Sequence, residues 1–208
     1  MAEKTKIAVL VSGGGTNLQA LIDFEKSGRL QHGKLCLVIS DNENAFALER
    51  AKKAQIKTSV ILKRNFESKK AFEEAIIKTL EENEIELIIL AGFMKILSED
   101  FTKRYPERII NVHPSLIPSF CGEGFYGLKV HEAALGYGVK VTGATVHFVN
   151  EIPDGGRIIL QKAVEIEEGD TPEILQKRVM EQAEWKILPA AAEKVCKEIS
   201  ENRQGALV

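Results

Sequence analysis

Two polar side chains suited to proton transfer and charge stabilisation stand at the end of an apolar run, residues 108–113. If this run is a strand, Asn111 and His113 project to the same side, because alternate residues share a face. Pro114 cannot donate to a strand ladder, so the pair should lie at the carboxyl edge, where open α/β sheets bind ligands. An amide can donate to a developing oxyanion, and an imidazole can move a proton. The competing interpretation is a simple cap at the end of a strand.

A carboxylate could join this pair from residues 150–156, which separate two predicted strands. Asp154 precedes Gly155, a combination typical of turns, so a plain hairpin loop is the simpler interpretation. The segment is nevertheless longer than a turn requires, and long loops in compact domains are often functional. If the hairpin packs beside the central strand, we expect Asp154 to face His113, to orient its ring and to raise its pKa above the ordinary value of about 6.5.

The segment Ser-Gly-Gly-Gly-Thr-Asn, residues 12–17, separates an apolar run from residues at helical spacing. Backbone amides freed by glycines, together with a helix N-terminus, form a site for phosphate; the alternative is a tight turn that binds nothing. The segment lacks the Gly-Lys-Ser/Thr of a triphosphate-binding loop. Leu18 replaces the third glycine of a dinucleotide-binding sequence, but Asp41 follows the next predicted strand. A nicotinamide-dependent enzyme therefore remains an alternative.

Apolar strands alternate with helices through the first half of the chain, which predicts parallel βαβ units. The predicted strands are 6–11, 35–40, 59–62, 85–91 and 109–113, and the predicted helices begin near Leu18, at 45 and at 67, the last two ending at 54 and 82. The carboxyl ends of parallel strands gather at one rim, so the glycine segment, the segment around Met94 and the pair at 111 and 113 should share a crevice. Met94, Ile96 and Leu97 could line an apolar pocket there or pack in the core.

The second half of the chain begins with residues 114–127, whose prolines and glycines are typical of a loop. We predict a helix at 128–135 that ends at Gly136 and two antiparallel strands at 139–149 and 157–164. A further helix should start at Asp170 and Thr171, with Ile174, Val179 and Ala183 on one stripe. Pro189 should kink or end it before another run to about Ile199, and residues 200–208 should fray. One domain accounts for the whole pattern.

The composition of the 208 residues restricts the possible functions. A net charge of −2 without a basic cluster argues against a nucleic-acid partner. Cys36, Cys121 and Cys196 lack the spacing of a zinc site or a disulfide framework, which fits a reducing cytoplasm and predicts no metal. A Cys121 thiol near His131 would be an alternative nucleophile. We expect neither a membrane span nor a signal peptide, because no apolar run is long enough and residues 1–5 are polar.

Four ordered motifs resemble the glycinamide ribonucleotide formyltransferase family; they are residues 12–19, 90–97, 111–118 and 146–149 followed by 154–156. The resemblance implies one formyltransferase domain over 1–208, with a phosphate-binding half, 1–100, and a catalytic and folate-binding half, 101–208. Its fold would be α/β and Rossmann-like, an open, mostly parallel sheet with helices on both faces and an antiparallel hairpin near the C-terminal part. The reaction implied is formyl transfer from 10-formyltetrahydrofolate to the amine of glycinamide ribonucleotide in purine biosynthesis, by a monomer or homodimer without metal.

The resemblance also assigns roles to individual positions. Asn111, His113 and Asp154 match the catalytic trio. The residues that match the ribonucleotide site are Gly15, Thr16 and Asn17, around the phosphate, and Glu184, at the ribose. The residues that match the folate site are Lys69, Met94, Lys95, Ile96, Leu97, Asn111, Asn150, Glu151, Ile152, Pro153 and Asp154.

Several positions depart from the family pattern. Trp185 stands where the family usually has a histidine, and one extra residue lies between Val179 and Glu184. Arg157 replaces a common proline, and residues 121–127 differ from the loop of some members. Lysines at 69 and 95 in place of arginines would weaken any bidentate grip on a carboxylate.

The mechanism that these residues suggest is direct acyl transfer without a covalent enzyme intermediate. Asn111 and a protonated His113 would stabilise the negative charge on the formyl oxygen, while Asp154 would hold the ring and relay a proton. The alternatives are a folate-dependent formyl hydrolase, methionyl-tRNA formyltransferase and a non-catalytic nucleotide-binding module. The hydrolase would bring an added N-terminal domain and the tRNA enzyme a C-terminal RNA-binding domain, and we expect neither here.

Overall fold

One seven-stranded sheet forms the centre of residues 3–205, the part of the chain described by the computed structural model. Its strands are β1 (Thr5–Val11), β2 (Gly33–Ser40), β3 (Lys57–Val60), β4 (Leu87–Leu90), β5 (Ile109–His113), β6 (Val141–Phe148) and β7 (Ile158–Glu165). The spatial order is β3-β2-β1-β4-β5-β6-β7. Neighbours from β3 to β5 pair in parallel, whereas β6 is antiparallel to both β5 and β7. The predicted open, mostly parallel sheet with an antiparallel hairpin is confirmed.

Helices cover both faces of this sheet. They are α1 (Thr16–Lys26), α2 (Phe46–Lys53), α3 (Lys69–Glu82), α4 (Glu99–Arg104), α5 (Leu128–Tyr137), α6 (Pro172–Val179) and α7 (Trp185–Gly205), with a 3-10 turn at Lys63–Asn65. Successive residues of β1 enter two different core clusters: Val9 packs in the cluster that includes α1, α2 and α7 residues, and Leu10 in the one that includes α3 and α4 residues. Because both of their faces are buried, β4 and residues 7–11 of β1 are continuously apolar rather than alternating.

The helix starts follow the capping pattern of the sequence. Thr171 accepts a hydrogen bond from the Ile174 amide, and Pro172 occupies the first turn of α6, as predicted. The predicted buried stripe of this helix is wrong at Ile174, whose side chain is half-exposed. Leu175 takes its place and is buried with Val179 and Ala183.

The end of the chain differs most from expectation. Pro189 neither ends nor breaks a helix but lies inside α7, which continues to Gly205. The irregular turn comes earlier, as a π-helical turn at Met180–Glu184 that joins α6 to α7. Ser200, expected to fray, is buried in α7, while residues 206–208 lie outside the described part. α5 also runs through Gly136, and Gly138, with φ of +81°, closes it.

The carboxyl ends of β1, β4 and β5 meet at the expected rim. The Ser12 amide donates to the Gly92 carbonyl at 3.2 Å, and the Met94 amide donates to Ser12 Oγ at 2.9 Å. The glycine segment after β1 and the segment after β4 are therefore tied to each other beside the end of β5, where Asn111 and His113 lie.

Candidate active site

Asn111 and His113 occupy the third and fifth positions of β5 and share one face of the sheet. In the antiparallel register with β6, Asn111 stands opposite His147, and His113 stands opposite Thr145. His113 is 5% exposed, and its Nε2 donates to the Phe120 carbonyl at 2.8 Å. The pair is thus held at the end of a central strand, between a parallel and an antiparallel neighbour.

Asp154 reaches this pair from the loop between β6 and β7. Its Oδ2 lies 3.4 Å from His113 Nδ1, and its Oδ1 lies 3.4 Å from His147 Nε2. The Gly122 amide donates to Oδ2 at 2.9 Å. Asp154 has φ of +56°, a left-handed conformation that aspartate tolerates better than most residues. The loop therefore does more than reverse the chain, since it places a carboxylate between two imidazoles.

Burial and charge act in opposite directions on the ionisable groups of this cluster. Burial lowers the pKa of His113, and it outweighs the Asp154 carboxylate and the Phe120 carbonyl, which raise it. The expectation that Asp154 would bring the pKa of His113 above its ordinary value is therefore wrong. For Asp154 burial is again the largest single effect and raises the pKa, but His147, His113 and the Gly122 amide together lower it below its usual value. The site pairs an ionised carboxylate with a mainly neutral imidazole at neutral pH.

The loop of residues 114–127 packs against His113 and Asp154. Phe120 and Gly122 contact His113 and Asp154 through their backbones, and Phe120 has φ of +50°. Between them, Cys121 donates its thiol hydrogen to the Pro118 carbonyl at 3.3 Å. Burial and the nearby Asp154 charge raise the pKa of this thiol, which disfavours the thiolate form. His131 is buried and has no hydrogen bond to Cys121, so the geometry offers no support for a thiol nucleophile.

The glycine segment forms a sharp entry to α1. Gly15 precedes the helix with φ of +71°, and a Cβ there would lie 2.6 Å from the Ala47 Cβ, so glycine is required. Gly13 and Gly14 use their carbonyls to bind α2, accepting from the Ala47 amide and from Arg50 Nε. The amides at the start of α1 thereby remain directed towards the rim, at the positive end of the helix.

Asn17 and Glu184 meet although they are far apart in sequence. Asn17 Nδ2 donates to Glu184 Oε2 at 2.7 Å, and both side chains are buried. The π-helical turn that ends at Glu184 carries it to this position, and such turns recur at functional sites. It coincides with the extra residue noted between Val179 and Glu184. Burial raises the pKa of Glu184 to about 7, and the Asn17 hydrogen bond opposes this shift only in part.

The segment after β4 divides into exposed and core residues. Met94 and Ile96 are 55% and 61% exposed at the rim, whereas Leu97 packs in the core cluster on the α3 face. Lys95 Nζ lies 3.3 Å from Asp41 Oδ2, the carboxylate on which the nicotinamide alternative depends. Both interpretations of this segment hold in part, since two side chains are free to meet a ligand and one completes the core.

The other predicted folate residues are Lys69 and the loop from Asn150 to Asp154. Lys69 opens α3, with its Nζ 3.7 Å from the buried Glu73 carboxylate, which also accepts from the Ser98 amide at 2.8 Å. The loop from Asn150 to Asp154 is exposed at Glu151, Ile152 and Pro153, while Asn150 Oδ1 accepts from the Ile152 amide.

His147 is the residue of the cluster that the sequence did not single out. It lies in β6 within an apolar run, is buried, and contacts both Asn111 and Asp154. The available signal was a polar ring placed directly between two apolar strand residues, Val146 and Phe148.

Within residues 3–205, no group of three or more histidine, cysteine, aspartate or glutamate side chains is arranged to hold a metal ion. None of the helices in that range has the length and apolar character that crossing a membrane requires.

The chain resembles several known proteins along most of its length. Phosphoribosylglycinamide formyltransferase of Haemophilus influenzae is 45% identical over 184 residues, which is 88% of this chain and 84% of that protein. The crystal structure of glycinamide ribonucleotide transformylase 1 from Symbiobacterium toebii has 40% identity and a TM-score of 0.88, covering 94% of this chain and 89% of its own.

The trifunctional purine biosynthetic protein adenosine-3 of Gallus gallus is 46% identical over 192 residues. These cover 92% of this chain but 18% of the chicken protein, so the chain spans less than a fifth of the length of that relative. The formyl transferase family model matches residues 5–192. Since that match covers most of the chain, the protein belongs to the formyl transferase family.

Proposed function

We propose that this protein transfers the formyl group of 10-formyltetrahydrofolate to the amine of glycinamide ribonucleotide, a step of purine biosynthesis. The observation that carries the proposal is the convergence of Asn111, His113 and Asp154 at the end of β5. The Asp154 carboxylate lies 3.4 Å from a ring nitrogen of His113 and 3.4 Å from one of His147. The similarity to phosphoribosylglycinamide formyltransferase supports the choice of substrates.

The reaction begins when the substrate amine attacks the formyl carbon and the carbonyl electrons move to the formyl oxygen. Asn111 donates an amide hydrogen to this oxygen. His113 offers the Nε2 hydrogen that the Phe120 carbonyl accepts in this structure, and it does so from a neutral ring, because burial lowers its pKa. Such donors each contribute about 10²- to 10³-fold to rate.

A proton must then move from the attacking nitrogen to the folate nitrogen that leaves. Asp154 is ionised and faces His113, so it can accept this proton directly or through water and return it to the leaving nitrogen. The bond between the formyl carbon and the folate nitrogen breaks, the carbonyl re-forms, and the products are the formylated ribonucleotide and tetrahydrofolate. The chemistry requires no metal and no covalent bond to the protein.

The two substrates would approach from opposite sides of this cluster. The start of α1, with Gly15, Thr16 and Asn17, would bind the ribonucleotide phosphate, and Glu184 would accept from the ribose hydroxyls. On the other side, the exposed Met94 and Ile96 offer apolar contacts for the folate ring, and the buried Leu97 anchors the segment in the core. The loop from Asn150 to Pro153 would close that side, and Lys69 and Lys95 would attract the folate carboxylates as point charges.

We also propose that the protein works in the cytoplasm as a single domain, as a monomer or homodimer. Cys36, Cys121 and Cys196 are all free thiols, as expected in a reducing compartment.

The test is the absorbance change as 10-formyltetrahydrofolate loses its formyl group, measured with and without glycinamide ribonucleotide. We expect turnover only with the ribonucleotide. Asn111→Ala should reduce kcat by about 10²- to 10³-fold, whereas Asn83→Ala, at the far end of α3, should not. Formyl loss in the absence of the amine would indicate a hydrolase, and no turnover with both ligands would contradict the proposal.

A further inference from the structure

Asp41 carries a buried carboxylate at the same rim as the candidate site. It directly follows β2, its side chain is 5% exposed, and its Oδ2 lies 3.3 Å from Lys95 Nζ. The other oxygen, Oδ1, is buried and has no hydrogen-bond partner among the described residues. Within residues 3–205, the Lys95 ammonium group is thus the single polar contact of this carboxylate.

The main chain sets the positions of both partners. β1 lies between β2 and β4 in the sheet, so the Lys95 side chain crosses the end of β1 to reach Asp41. Ser12, which follows β1, binds a neighbour of each partner: its carbonyl accepts from Asn42 Nδ2 at 3.2 Å, and its Oγ accepts from the Met94 amide at 2.9 Å. The ion pair is therefore set by the ends of three adjacent strands and is not a chance contact between two exposed side chains.

The other lysine of the proposed folate site has a different kind of partner. Lys69 Nζ lies 3.7 Å from Glu73 Oε1, and the Glu73 carboxylate also accepts from the Ser98 amide at 2.8 Å and from the Ser98 hydroxyl. If Lys69 turns to a ligand, Glu73 keeps these two donors. If Lys95 turns away, Asp41 loses the one partner it has in the described part of the chain, and a buried carboxylate without a partner is costly.

We infer that Asp41 is a positioning residue that competes with ligand carboxylates for Lys95, and that it thereby limits how tightly the protein binds acidic folates; the inference rests on the proposed function for the identity of the ligand. A folate carboxylate can gain Lys95 only as Asp41 gives it up. Lys95 should therefore contribute less to binding than a lysine without a partner would.

Removing the negative charge at position 41 should strengthen folate binding. Asp41→Asn keeps the shape of the side chain and releases Lys95. The Kd of 5-formyltetrahydrofolate, a stable isomer of the proposed formyl donor, should therefore fall by about 2- to 5-fold in isothermal titration calorimetry. The dimethyl ester of this folate has no carboxylate to attract Lys95, and its Kd should not change. Unchanged or weaker binding of the acid at an unchanged Tm would overturn the inference.

Two further variants complete this measurement. Glu43→Gln is the matched control, because it removes a nearby negative charge that pairs with Arg64 and not with Lys95. It should leave the Kd of the acid and of the ester unchanged. If Asp41→Asn does not fold, Asp41→Ser, which also lacks the charge, takes its place with the same expected result.

A double-mutant cycle tests whether Asp41 acts through Lys95. In the Lys95→Met background, Asp41→Asn should leave the Kd of the acid nearly unchanged, because no ammonium group is released. Equal strengthening in both backgrounds would show that Asp41 repels the ligand directly, and it would overturn the inference.

Stability measurements test the ion pair without a ligand. Lys95→Met should lower Tm more in the wild-type protein than in the Asp41→Asn background, because only in the former does it leave a buried carboxylate without a partner. Equal effects in the two backgrounds would overturn the inference even in a protein that binds folate. If the difference in Tm is present but no variant binds folate, the result would contradict the proposed function and not the pairing.

Discussion

The Asp154 carboxylate is shared by three neighbours: the rings of His113 and His147, and the Gly122 amide. Its left-handed backbone aims the side chain back at the sheet rather than into solvent. Position 154 requires both a residue that tolerates the left-handed conformation and a negative charge. A substitution that keeps the first property and removes the second can separate their effects.

Asp154→Asn removes the charge but keeps a residue that tolerates the left-handed conformation. We expect kcat to fall by roughly 10²- to 10⁴-fold, because the proton relay is lost, while Tm changes little. Steady-state kinetics and thermal unfolding measure the two effects. Asp100→Asn, at an exposed position in α4, serves as the control and should leave both unchanged. Full turnover in the Asp154 variant would remove this residue from the mechanism.

Glu184 makes stability depend on pH. Its pKa is raised from 4.5 to about 7 in the folded protein, so the native state holds more protons than the unfolded state between these values. Stability should therefore fall as pH rises through this window, because the buried carboxyl must ionise.

Glu184→Gln lacks this cost and can still accept from Asn17. Its Tm should match that of wild type below about pH 4.5 and exceed it increasingly up to about pH 7, then level off. For a protein of this size, each kcal/mol corresponds to about 2–4 °C. Thermal unfolding from pH 4 to 8 measures the difference, and a Tm difference that does not vary with pH would contradict the shifted ionisation.

At the scale of elements, the hairpin β6–β7 is the part that brings Asp154 to β5. The hairpin closes by a close approach at Gly156, where a Cβ would lie 1.7 Å from the Phe148 carbonyl oxygen. Gly136, within α5, offers the contrast, because a Cβ there would meet no heavy atom within 4 Å beyond its own helix.

Substitution by alanine at these two glycines should have opposite effects. Gly156→Ala should destabilise the protein by about 1–3 kcal/mol, because the backbones of the two strands must separate. Gly136→Ala should stabilise it by about 0.4–1 kcal/mol, because alanine loses less backbone entropy in a helix. Denaturant unfolding gives both values. The Gly156 variant should also lose activity because the Asp154 loop shifts, and equal stability of the two variants would contradict the close approach.

The elements show which features the sequence could predict. β4 was predictable because a strand buried on both faces leaves an uninterrupted apolar run. The π-helical turn was not, since an i to i+5 hydrogen-bond pattern has no local sequence signature. The predicted helix end near Pro189 is also wrong. Proline indicates a helix break from local sequence alone, but in this fold the irregular turn lies before it, at Met180–Glu184.

At the scale of the whole molecule, the proposed halves 1–100 and 101–208 are joined through the sheet. β4 pairs with β5 across the division, and α7 packs against α1, β1 and β2. We therefore expect one cooperative unfolding transition, with equal calorimetric and van't Hoff enthalpies. Differential scanning calorimetry measures both, and two resolved transitions would contradict a single folding unit.

Some features of the candidate site could be predicted from the sequence, and others depend on the folded structure. The meeting of Asp154 with His113 was predictable, because it follows from strand order and an over-long loop. The direction of the His113 pKa shift was not, because the degree of burial depends on loop 114–127, which has no periodic pattern. His147 escaped notice because its importance arises only from the β5–β6 register.

The contacts that loop 114–127 makes with the site bear on which of its residues can vary. The Phe120 carbonyl holds His113, and the Gly122 amide holds Asp154. Both contacts use main-chain atoms, so neither depends on the identity of a loop side chain. Sequence divergence in this loop is therefore compatible with an unchanged site as long as the backbone keeps its path, including the left-handed conformation at Phe120.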